Sequence, residues 1–204
     1  MGWLLLLLGY VLGSLPTGYL AGKWLKGIDL RRVGSGSTGA TNVLRSVGKG
    51  AALAVLVIDG LKGALAVLLP GWLGVEPREW WMVGAGLMAV LGHSRSCWLG
   101  GQGGKSVATS LGVLLALSWG TALSCFGVWV LLVGWTRWVS LGSVGAAITA
   151  PLWMLLWQEP LPTVLFGAVG GVYVVLTHWR NLQRLLAGTE PKLGQKTPSE
   201  NLAQ

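Results

Sequence analysis

The residues that could do chemistry in this chain are concentrated in three short polar segments. The first, residues 34–45, reads Gly-Ser-Gly-Ser-Thr-Gly-Ala-Thr-Asn-Val-Leu-Arg. Its glycines and hydroxyls can bring backbone N–H groups close to an anion, the helix expected to follow adds its positive dipole end, and Arg45 can grip a phosphate through two hydrogen bonds. The alternative is a flexible Gly/Ser loop, although residues 41–45 do not have a linker's composition. We predict a phosphate site with the ligands Gly34, Ser35, Gly36, Ser37, Thr41, Asn42 and Arg45.

The second segment combines Gly92-His93-Ser94 with residues 100–109, which read Gly-Gly-Gln-Gly-Gly-Lys-Ser-Val-Ala-Thr. It places Gly-Lys-Ser before a predicted helix, as a nucleotide-binding P-loop does, but Leu99 occupies the position of the first required glycine. No strand is predicted before it, so nucleotide hydrolysis is disfavoured, whereas a smaller phosphate could still bind. The candidate ligands are Gly103, Gly104, Lys105 and Ser106. The alternative is that Lys105 only anchors the edge of a membrane.

The third segment, residues 177–192, combines an imidazole with amide and guanidinium groups. On a continuous helix, His178 and Asn181 share a face, and so do Arg180 and Arg184. An imidazole, whose unperturbed pKa is about 6.5, suits general base catalysis. A histidine at a membrane edge can equally be a structural hydrogen-bond donor, and the sequence leaves both roles open.

Asp59 and Lys62 are ionisable residues inside an apolar stretch. Each would cost roughly 2.5–3.5 kcal/mol at the centre of a bilayer if it stood alone. Their spacing of three residues predicts that they pair across one helical turn. Intramembrane charges can serve function directly, but we favour a neutralised pair that holds its helix to the glycine loops.

The elements that position these segments are apolar helices. Of the 204 residues, 52% are hydrophobic and 11% charged, whereas an ordinary soluble domain has roughly 45–50% and 25%. So few charges cannot cover a water-facing surface, and so apolar a chain would not stay disordered in water. The net charge is +8, but the basic residues are not interleaved with aromatic ones as on a nucleic-acid-binding face. We predict an all-α polytopic membrane protein that binds no nucleic acid.

Seven apolar stretches are candidate membrane helices, at residues 3–25, 51–73, 80–99, 107–117, 123–135, 139–157 and 161–176. A spanning helix needs about 20 residues, so the fourth and fifth look short, and the polar break at 118–121 predicts a tight hairpin. The prediction is seven transmembrane helices, or five if the hairpin is re-entrant. Thirteen of the fifteen Lys and Arg residues lie in alternate connections, which places the N-terminus outside and the C-terminus inside. A single domain is expected over 1–192, with a polar cytoplasmic tail over 193–204.

Together the three segments resemble the acyl-phosphate-dependent glycerol-3-phosphate acyltransferase family (PlsY) of small bacterial inner-membrane enzymes. The family pattern approximates G-S-G-N-x-G-A-T-N-x-L-R, then G-H with G-G-K-G-V-A-T, then H-R-x-N-[IL]-x-R-L-L-x-G-x-E-x-K. The order and spacing of all three agree across most of the chain. The chain departs from the pattern at Ser37 for Asn, Gln102 for Lys, Ser106 for Gly and Trp179 for Arg.

The resemblance implies transfer of a fatty acyl group from acyl phosphate to the 1-hydroxyl of sn-glycerol 3-phosphate. The products are 1-acyl-sn-glycerol 3-phosphate (lysophosphatidic acid) and phosphate, in the first acylation of phospholipid synthesis. We expect the catalytic residues to be Ser35, Arg45, Lys105, His178 and Asn181, with Arg180 among the phosphate ligands. Asp59, Lys62 and Glu190 are expected to support the site. The resemblance implies no metal and no cofactor.

The same resemblance places the chain in a bacterial inner membrane, with the active site facing the cytoplasm. Its partners are then the membrane lipid, acyl phosphate and glycerol 3-phosphate, and contact with the soluble enzyme that makes acyl phosphate is left open. The rival function is a transporter for phosphate or a small organic anion, whose signature would be internal repeats and basic residues at mid-depth. The sequence has no evident repeat, and its basic residues lie at one edge.

The destination of the glycerol hydroxyl's proton is the remaining question at this stage. Either His178 takes the proton as a general base, or a phosphate oxygen of bound glycerol phosphate accepts it. Acyl phosphate is already activated, so the protein mainly has to position its substrates and neutralise their charge. We favour the substrate-assisted route, with His178 and Asn181 orienting the substrate.

Overall fold

The computed structural model describes residues 1–195, and all regular structure in that range is helical. Most of the predicted tail, residues 196–204, lies outside the described residues. The helices are α1 (Gly2–Ser14), α2 (Thr17–Lys26), α3 (Ala40–Ser46), α4 (Lys49–Trp72), α5 (Arg78–Ser94), α6 (Val107–Leu117), α7 (Trp119–Thr136), α8 (Val139–Leu156), α9 (Leu161–Thr177) and α10 (Trp179–Leu186). A short 3₁₀ turn, Cys97–Leu99, follows α5.

Four segments of the described chain are long and apolar enough to cross a membrane. They are Gly2–Lys26, which joins α1 and α2, and the helices α4, α7 and α8. Helix α9 passes the same test together with α10, from which it is bent by 58°. Large apolar side chains point outward, such as Leu131 at 73% exposure and Leu156 at 71%. This outward apolar surface fits lipid rather than water, and the prediction of a multi-pass helical membrane protein is confirmed.

The first predicted span is broken at Leu15 and Pro16. Proline has no N–H to donate, so the helical hydrogen-bond ladder is interrupted there. At the break, the carbonyl of Leu15 accepts the N–H of Thr17 at 3.0 Å and a hydrogen bond from Nζ of Lys62 at 2.9 Å. The break in α1–α2 is thereby tied to α4.

The tight connection predicted at residues 118–121 is a single residue, Ser118, between α6 and α7. Its hydroxyl oxygen accepts the N–H of Thr121 at 3.2 Å and so caps α7. Because the polar residues after Ser118 form the first turn of α7, this helix has 18 residues. The expectation of a short fifth helix was therefore wrong, whereas α6 has only 11 residues.

The continuous helix predicted through the third segment was also wrong, because the chain bends between α9 and α10 at His178. The hydroxyl of Thr177 and Nδ1 of His178 each bond the carbonyl of Val174, both at 2.8 Å. Side chains that bond backbone carbonyls in this way compete with the helical ladder. The bend leaves His178 one residue beyond α9, at the end of the bundle.

Close packing between helices relies on glycines. A side chain at Gly13 of α1 would collide with the backbone of Ala89 in α5, and one at Gly112 of α6 would collide with Gly60 in α4. Small residues let helix backbones approach in a membrane, where apolar burial gives no driving force between helices. The buried core, which includes Val67, Val90, Val113, Met154 and Phe166, lies among these closely packed helices.

Candidate active site

A cavity of about 380 Å³ opens where the three polar segments meet. It lies between the loop before α3, the start of α6, the junction of α9 with α10, and Glu190. The predicted site residues that line it are Ser35, Ser37, Thr41, Asn42, Arg45, Asp59, Lys105, Ser106, His178, Asn181 and Glu190. The structure thus brings residues from all three segments into one pocket. Six predicted residues do not line it: Gly34, Gly36, Lys62, Gly103, Gly104 and Arg180.

Asn42 organises the loop before α3 from within. Its Nδ2 atom lies 2.8 to 3.2 Å from the carbonyl oxygens of Leu30, Val33 and Ser37, and its Oδ1 accepts the N–H of Ser35 at 3.1 Å. The side chain is almost fully buried. The amide of Asn42, which we predicted to donate a hydrogen bond to a phosphate, therefore makes its hydrogen bonds within the loop.

The backbone cradle predicted for this loop is also used internally. The N–H of Gly36 donates to the carbonyl of Val33 at 3.1 Å, and the N–H of Gly39 donates to the hydroxyl of Ser37 at 3.3 Å. Gly34 and Gly36 have positive φ angles of 61° and 72°, so they provide the turns. The side chains of this segment that line the pocket and keep a polar group for a ligand include Ser35, Ser37, Thr41 and Arg45.

Arg45 is held at one edge of its guanidinium. One terminal nitrogen donates to the carbonyl of Pro191 at 3.3 Å, while Nε is buried without a hydrogen-bond partner among the described residues. Burial lowers the pKa of Arg45, an effect that Glu190 opposes and Arg184 reinforces. A half-buried guanidinium whose buried Nε has no partner among the described residues is suited to an anionic ligand.

The second segment contributes Lys105 to the site, and its neighbours serve to fix it. The N–H of Gly104 donates to the carbonyl of His93 at 3.1 Å, and the hydroxyl of Ser106 donates to the carbonyl of Val90 at 2.7 Å. A side chain at Gly103 would collide with the backbone at the end of α5. Gly104 and Ser106 are thus held to α5 by hydrogen bonds, and Gly103 packs against the end of that helix.

Lys105 joins a hydrogen-bonded chain that ends on Glu190. Its Nζ donates to Oδ1 of Asn181, and Nδ2 of Asn181 donates to Oε1 of Glu190 at 2.6 Å. Glu190 also accepts from the hydroxyl of Ser140 and from Nε of Arg184, both at 2.7 Å. One carboxylate therefore fixes groups from α8, α10 and, through Asn181, the loop before α6.

The segment 190–193 closes over this carboxylate. Nε1 of Trp138 donates to the carbonyl of Glu190 at 3.2 Å. The N–H of Leu193 donates to the carbonyl of Arg137 at 2.7 Å, and the guanidinium of Arg137 donates back to the carbonyl of Leu193 at 2.7 Å. With the bond from Arg45 to Pro191, the segment links the α7–α8 connection to α3.

Electrostatics in the pocket favour a bound anion. Burial lowers the pKa of Lys105 to about 8; Glu190 opposes this shift, while Arg184 and Arg45 add to it. Burial also works against ionisation of Glu190, but hydrogen bonds from Asn181, Ser140 and Arg184 outweigh it and lower the carboxyl pKa. Several cations thus share one internal carboxylate, and an anion would relieve their mutual repulsion.

His178 presents an acceptor to the pocket. A carbonyl can only accept, so the bond from Nδ1 to Val174 places the ring proton on Nδ1 and leaves the lone pair on Nε2. Burial, assisted by the nearby Lys105 cation, lowers the pKa of His178 to about 4, although the bond to Val174 opposes this shift. The ring is therefore neutral at pH 7 and cannot donate from Nε2 to a phosphate.

The pocket continues as an apolar groove between α6, α7, α8 and α9. Small residues on α8 and α9 make room, and Cys125, Phe126 and Trp129 of α7 lie across from them. On α8 the lining extends over the eleven positions from Ser140 to Ala150, and the ten steps between them rise about 15 Å along an α-helix. That depth is half of the ~30 Å hydrocarbon core of a bilayer, or one leaflet.

The predicted pair of Asp59 and Lys62 forms, with 2.7 Å between Nζ and Oδ1. Oδ1 also accepts the hydroxyl of Thr17 at 2.5 Å. Asp59 faces the pocket, whereas Lys62 turns away from it to the broken helix at Leu15. The pair binds α4 to α1–α2, so the partner of α4 in these contacts is the broken first span and not the glycine loops expected above.

Sequence reasoning misplaced one cation and missed four residues. Arg180 is exposed on α10, and the cation of that helix in the network is Arg184. His93, Ser140 and Ser143 line the pocket as well. His93 and Arg184 were visible inside the polar segments, but serines at positions 140 and 143 carry no signal in an apolar helix.

The fold and the pocket define a multi-pass membrane protein with a cationic site joined to a leaflet-deep apolar groove. The family described as glycerol-3-phosphate acyltransferase matches residues 3–188. The chain belongs to this family, and the resemblance inferred from its three segments is confirmed. The rival interpretation as an anion transporter is not favoured by these similarities.

Individual relatives agree with this assignment. The chain is 60% identical over 188 residues to a glycerol-3-phosphate acyltransferase of Synechococcus sp. (strain JA-2-3B'a(2-13)), covering 92% of each chain. It is 53% identical over 209 residues to one of Nostoc sp. (strain PCC 7120 / SAG 25.82 / UTEX 2576), covering 95% of this chain and 92% of the relative.

Two solved structures are similar over nearly the whole chain. The crystal structure of PlsY (YgiH), an integral membrane glycerol 3-phosphate acyltransferase, in its glycerol 3-phosphate form has a TM-score of 0.89 at 39% identity and covers 100% of this chain and 99% of that one. The lysophosphatidic acid form has a TM-score of 0.87 at 38% identity, covering 95% of each chain.

Proposed function

We propose that this chain transfers a fatty acyl group from acyl phosphate to the 1-hydroxyl of sn-glycerol 3-phosphate, giving lysophosphatidic acid and phosphate. The observation that carries the proposal is the union of a cationic pocket with an apolar groove one leaflet deep. The related structures in glycerol 3-phosphate and lysophosphatidic acid forms support the acceptor and the product. An acyl phosphate matches both parts, because its tail is apolar and its leaving group is an anion.

In this reaction the hydroxyl oxygen attacks the acyl carbon, and the bond from that carbon to the phosphate oxygen breaks. The hydroxyl proton ends on phosphate, so no other reactant is needed. Two phosphate groups must lie side by side, and Arg45 and Lys105 supply the positive charge at the pocket. Since the donor is already activated, positioning and charge neutralisation are the main contributions of the protein.

The state of His178 bears on the route of the proton. A phosphate monoester has a second pKa of about 6, whereas the pKa of His178 is lowered to about 4. In the unliganded pocket the phosphate oxygen is therefore the more basic of the two acceptors. We therefore assign the proton of the 1-hydroxyl to a phosphate oxygen of glycerol 3-phosphate. Nε2 of His178 then accepts a hydrogen bond from the other hydroxyl of this substrate and so orients it.

The placement in the membrane is part of the proposal. Seven crossings, by α1–α2, α4, α5, α6, α7, α8 and α9, would put the N-terminus outside and the C-terminus inside. The loops that carry the pocket residues then lie on the cytoplasmic side of a bacterial inner membrane, as do most Lys and Arg residues. Residues 1–192 form one domain in this arrangement. Acyl phosphate would come from a separate soluble enzyme.

Acyl transfer by the purified protein in detergent tests the function. With acyl phosphate and labelled glycerol 3-phosphate, we expect labelled lysophosphatidic acid and an equal amount of phosphate. Acyl-CoA of matched chain length is expected not to replace acyl phosphate, because the cations line a cavity of about 380 Å³ that must also hold glycerol 3-phosphate. Uptake of label into liposomes without ester formation would instead identify a carrier.

A further inference from the structure

We infer that His93 is a positioning residue whose ring fills the space left by the missing side chain of Gly104 and so sets where Lys105 enters the pocket. The inference rests on the proposed function and adds a residue to its machinery. His93 is only 7% exposed, lies in the last turn of α5 and lines the pocket.

One edge of the His93 ring faces a fixed carboxylate. Its Nδ1 atom lies 3.5 Å from Oδ1 of Asp59. Asp59 is held in turn by Lys62 and Thr17 and is 1% exposed. The ring therefore stands against an anchor that involves α4 and the broken helix α1–α2, rather than against a movable side chain.

The other edge of the ring faces the backbone of Gly104. A Cβ atom built on Gly104 would overlap with Nε2 of His93. Nε2 thus abuts the main chain of the residue directly before Lys105, and Gly104 has no side chain because the imidazole occupies its space. In this respect His93 differs from His178, because Nε2 of His178 faces the pocket as a hydrogen-bond acceptor.

Lys105 is fixed by its neighbours on both sides. Gly104 is bound to the carbonyl of His93, and Ser106 is bound to the carbonyl of Val90 one turn earlier in α5. These bonds set the path of the main chain, and the imidazole sets how closely Gly104 lies to α5. A displacement of about 1 Å at a charged group can reduce a rate a hundredfold, so the packing of His93 bears directly on Lys105.

A double-mutant cycle tests whether His93 acts through Lys105. His93→Ala is expected to lower kcat/KM for glycerol 3-phosphate by about tenfold in the wild-type background and by less than about twofold in Lys105→Ala, because groups that act as one unit are not additive. Ser94→Ala is the matched control. Ser94 is equally buried, but its hydroxyl contacts Tyr173 rather than Gly104, so near-wild-type activity is expected.

Size complementarity gives a second test. Gly104→Ala alone should lower kcat/KM, because its methyl group collides with the imidazole ring. Adding His93→Ala should recover at least about a third of the decrease in log kcat/KM. His93→Gln, which keeps a side chain of similar length, should retain more activity than His93→Ala. Thermal unfolding of each variant in detergent separates loss of fold from loss of position, and His93→Gln serves if His93→Ala does not fold.

The outcomes distinguish this inference from the proposed function. Dissociation constants for glycerol 3-phosphate are measured over the same cycle, so turnover is not the only readout. An inactive wild type that also fails to bind glycerol 3-phosphate contradicts both. The inference alone is overturned if the wild type is active and two results are found together. The first is that His93→Ala lowers kcat/KM as much in Lys105→Ala as in the wild-type background. The second is that His93→Ala does not restore activity to Gly104→Ala.

Discussion

Nζ of Lys105 lies 2.5 Å from Oδ1 of Asn181, although the two residues are 76 positions apart in the chain. The contact joins the loop before α6 to α10 and directs the ammonium group toward the pocket. Because Asn181 is held by Glu190, the position of the cation depends on a carboxylate that it does not touch directly. The behaviour of Lys105 is therefore a sensitive test of the whole site.

The lowered pKa of Lys105 predicts an alkaline limit to activity. Burial brings the pKa to about 8, so the cation is present below that pH and falls about tenfold per pH unit above it. The pH profile of kcat/KM for glycerol 3-phosphate, which reports the free enzyme, should decline above about pH 8. In Lys105→Arg the remaining activity should not decline there, because a guanidinium stays protonated. A decline at the same pH in both proteins would assign it to another group.

Arg45→Ala should reduce activity by about tenfold to more than a hundredfold, since a hydrogen bond to a charged group is worth roughly 1.5–3 kcal/mol. Arg45→Lys should restore only part of it, because an ammonium cannot bond Pro191 and a phosphate with the same fork. The exposed Arg32 is the control, and Arg32→Ala should behave as wild type. Wild-type rates in a folded Arg45→Ala protein would remove Arg45 from the site.

His178→Gln distinguishes orientation from proton transfer. Glutamine keeps a hydrogen-bonding group but cannot take the proton, and a general base contributes about 10²–10⁴-fold. We expect more than about a tenth of wild-type activity to remain, measured as initial rates at saturating acyl phosphate. A thousandfold loss with glycerol phosphate binding intact, rescued by added imidazole, would make His178 the base.

The proposed orientation predicts which side each loop occupies. In a protein free of native cysteines, single cysteines at the exposed positions Arg32, Gln102 and Gln183 should resist impermeant thiol reagents in intact cells. A cysteine at the exposed Glu79, in the first turn of α5 and on the opposite side of the membrane, should react. The label is read by gel shift before and after the cells are opened. Labelling of any of the first three from outside would show that the site does not face the cytoplasm.

The meeting of the three segments was predictable because polar residues stand out in an apolar chain. Arg45, Lys105 and His178 are costly in lipid, so charge distribution alone puts them at one edge. The internal use of Asn42 was not predictable, because its partners are main-chain carbonyls whose positions depend on the folded loop. The role of Gly104 was hidden for the same reason, since the space it vacates belongs to a side chain in another helix.

The departure from the family pattern at Ser106 has a local explanation. Its φ angle of 63° is in the left-handed region, where glycine is favoured and other residues cost roughly 1–2 kcal/mol. The hydroxyl's bond to Val90 offsets part of that cost, since a typical hydrogen bond contributes about 1 kcal/mol. The sequence shows the substitution, but only the structure shows why serine is tolerated there.

The closure of the site by residues 190–193 has a consequence for biosynthesis. Within residues 1–195 the last helix ends at Leu186, whereas the carboxylate that orders Lys105 and Arg184 follows at Glu190. A nascent chain that stalls after α10 would hold every membrane helix and still lack the group that aligns its cations. Insertion of these helices into the bilayer and acquisition of a competent site are therefore separate events, and the second awaits Glu190 and the segment that follows α10.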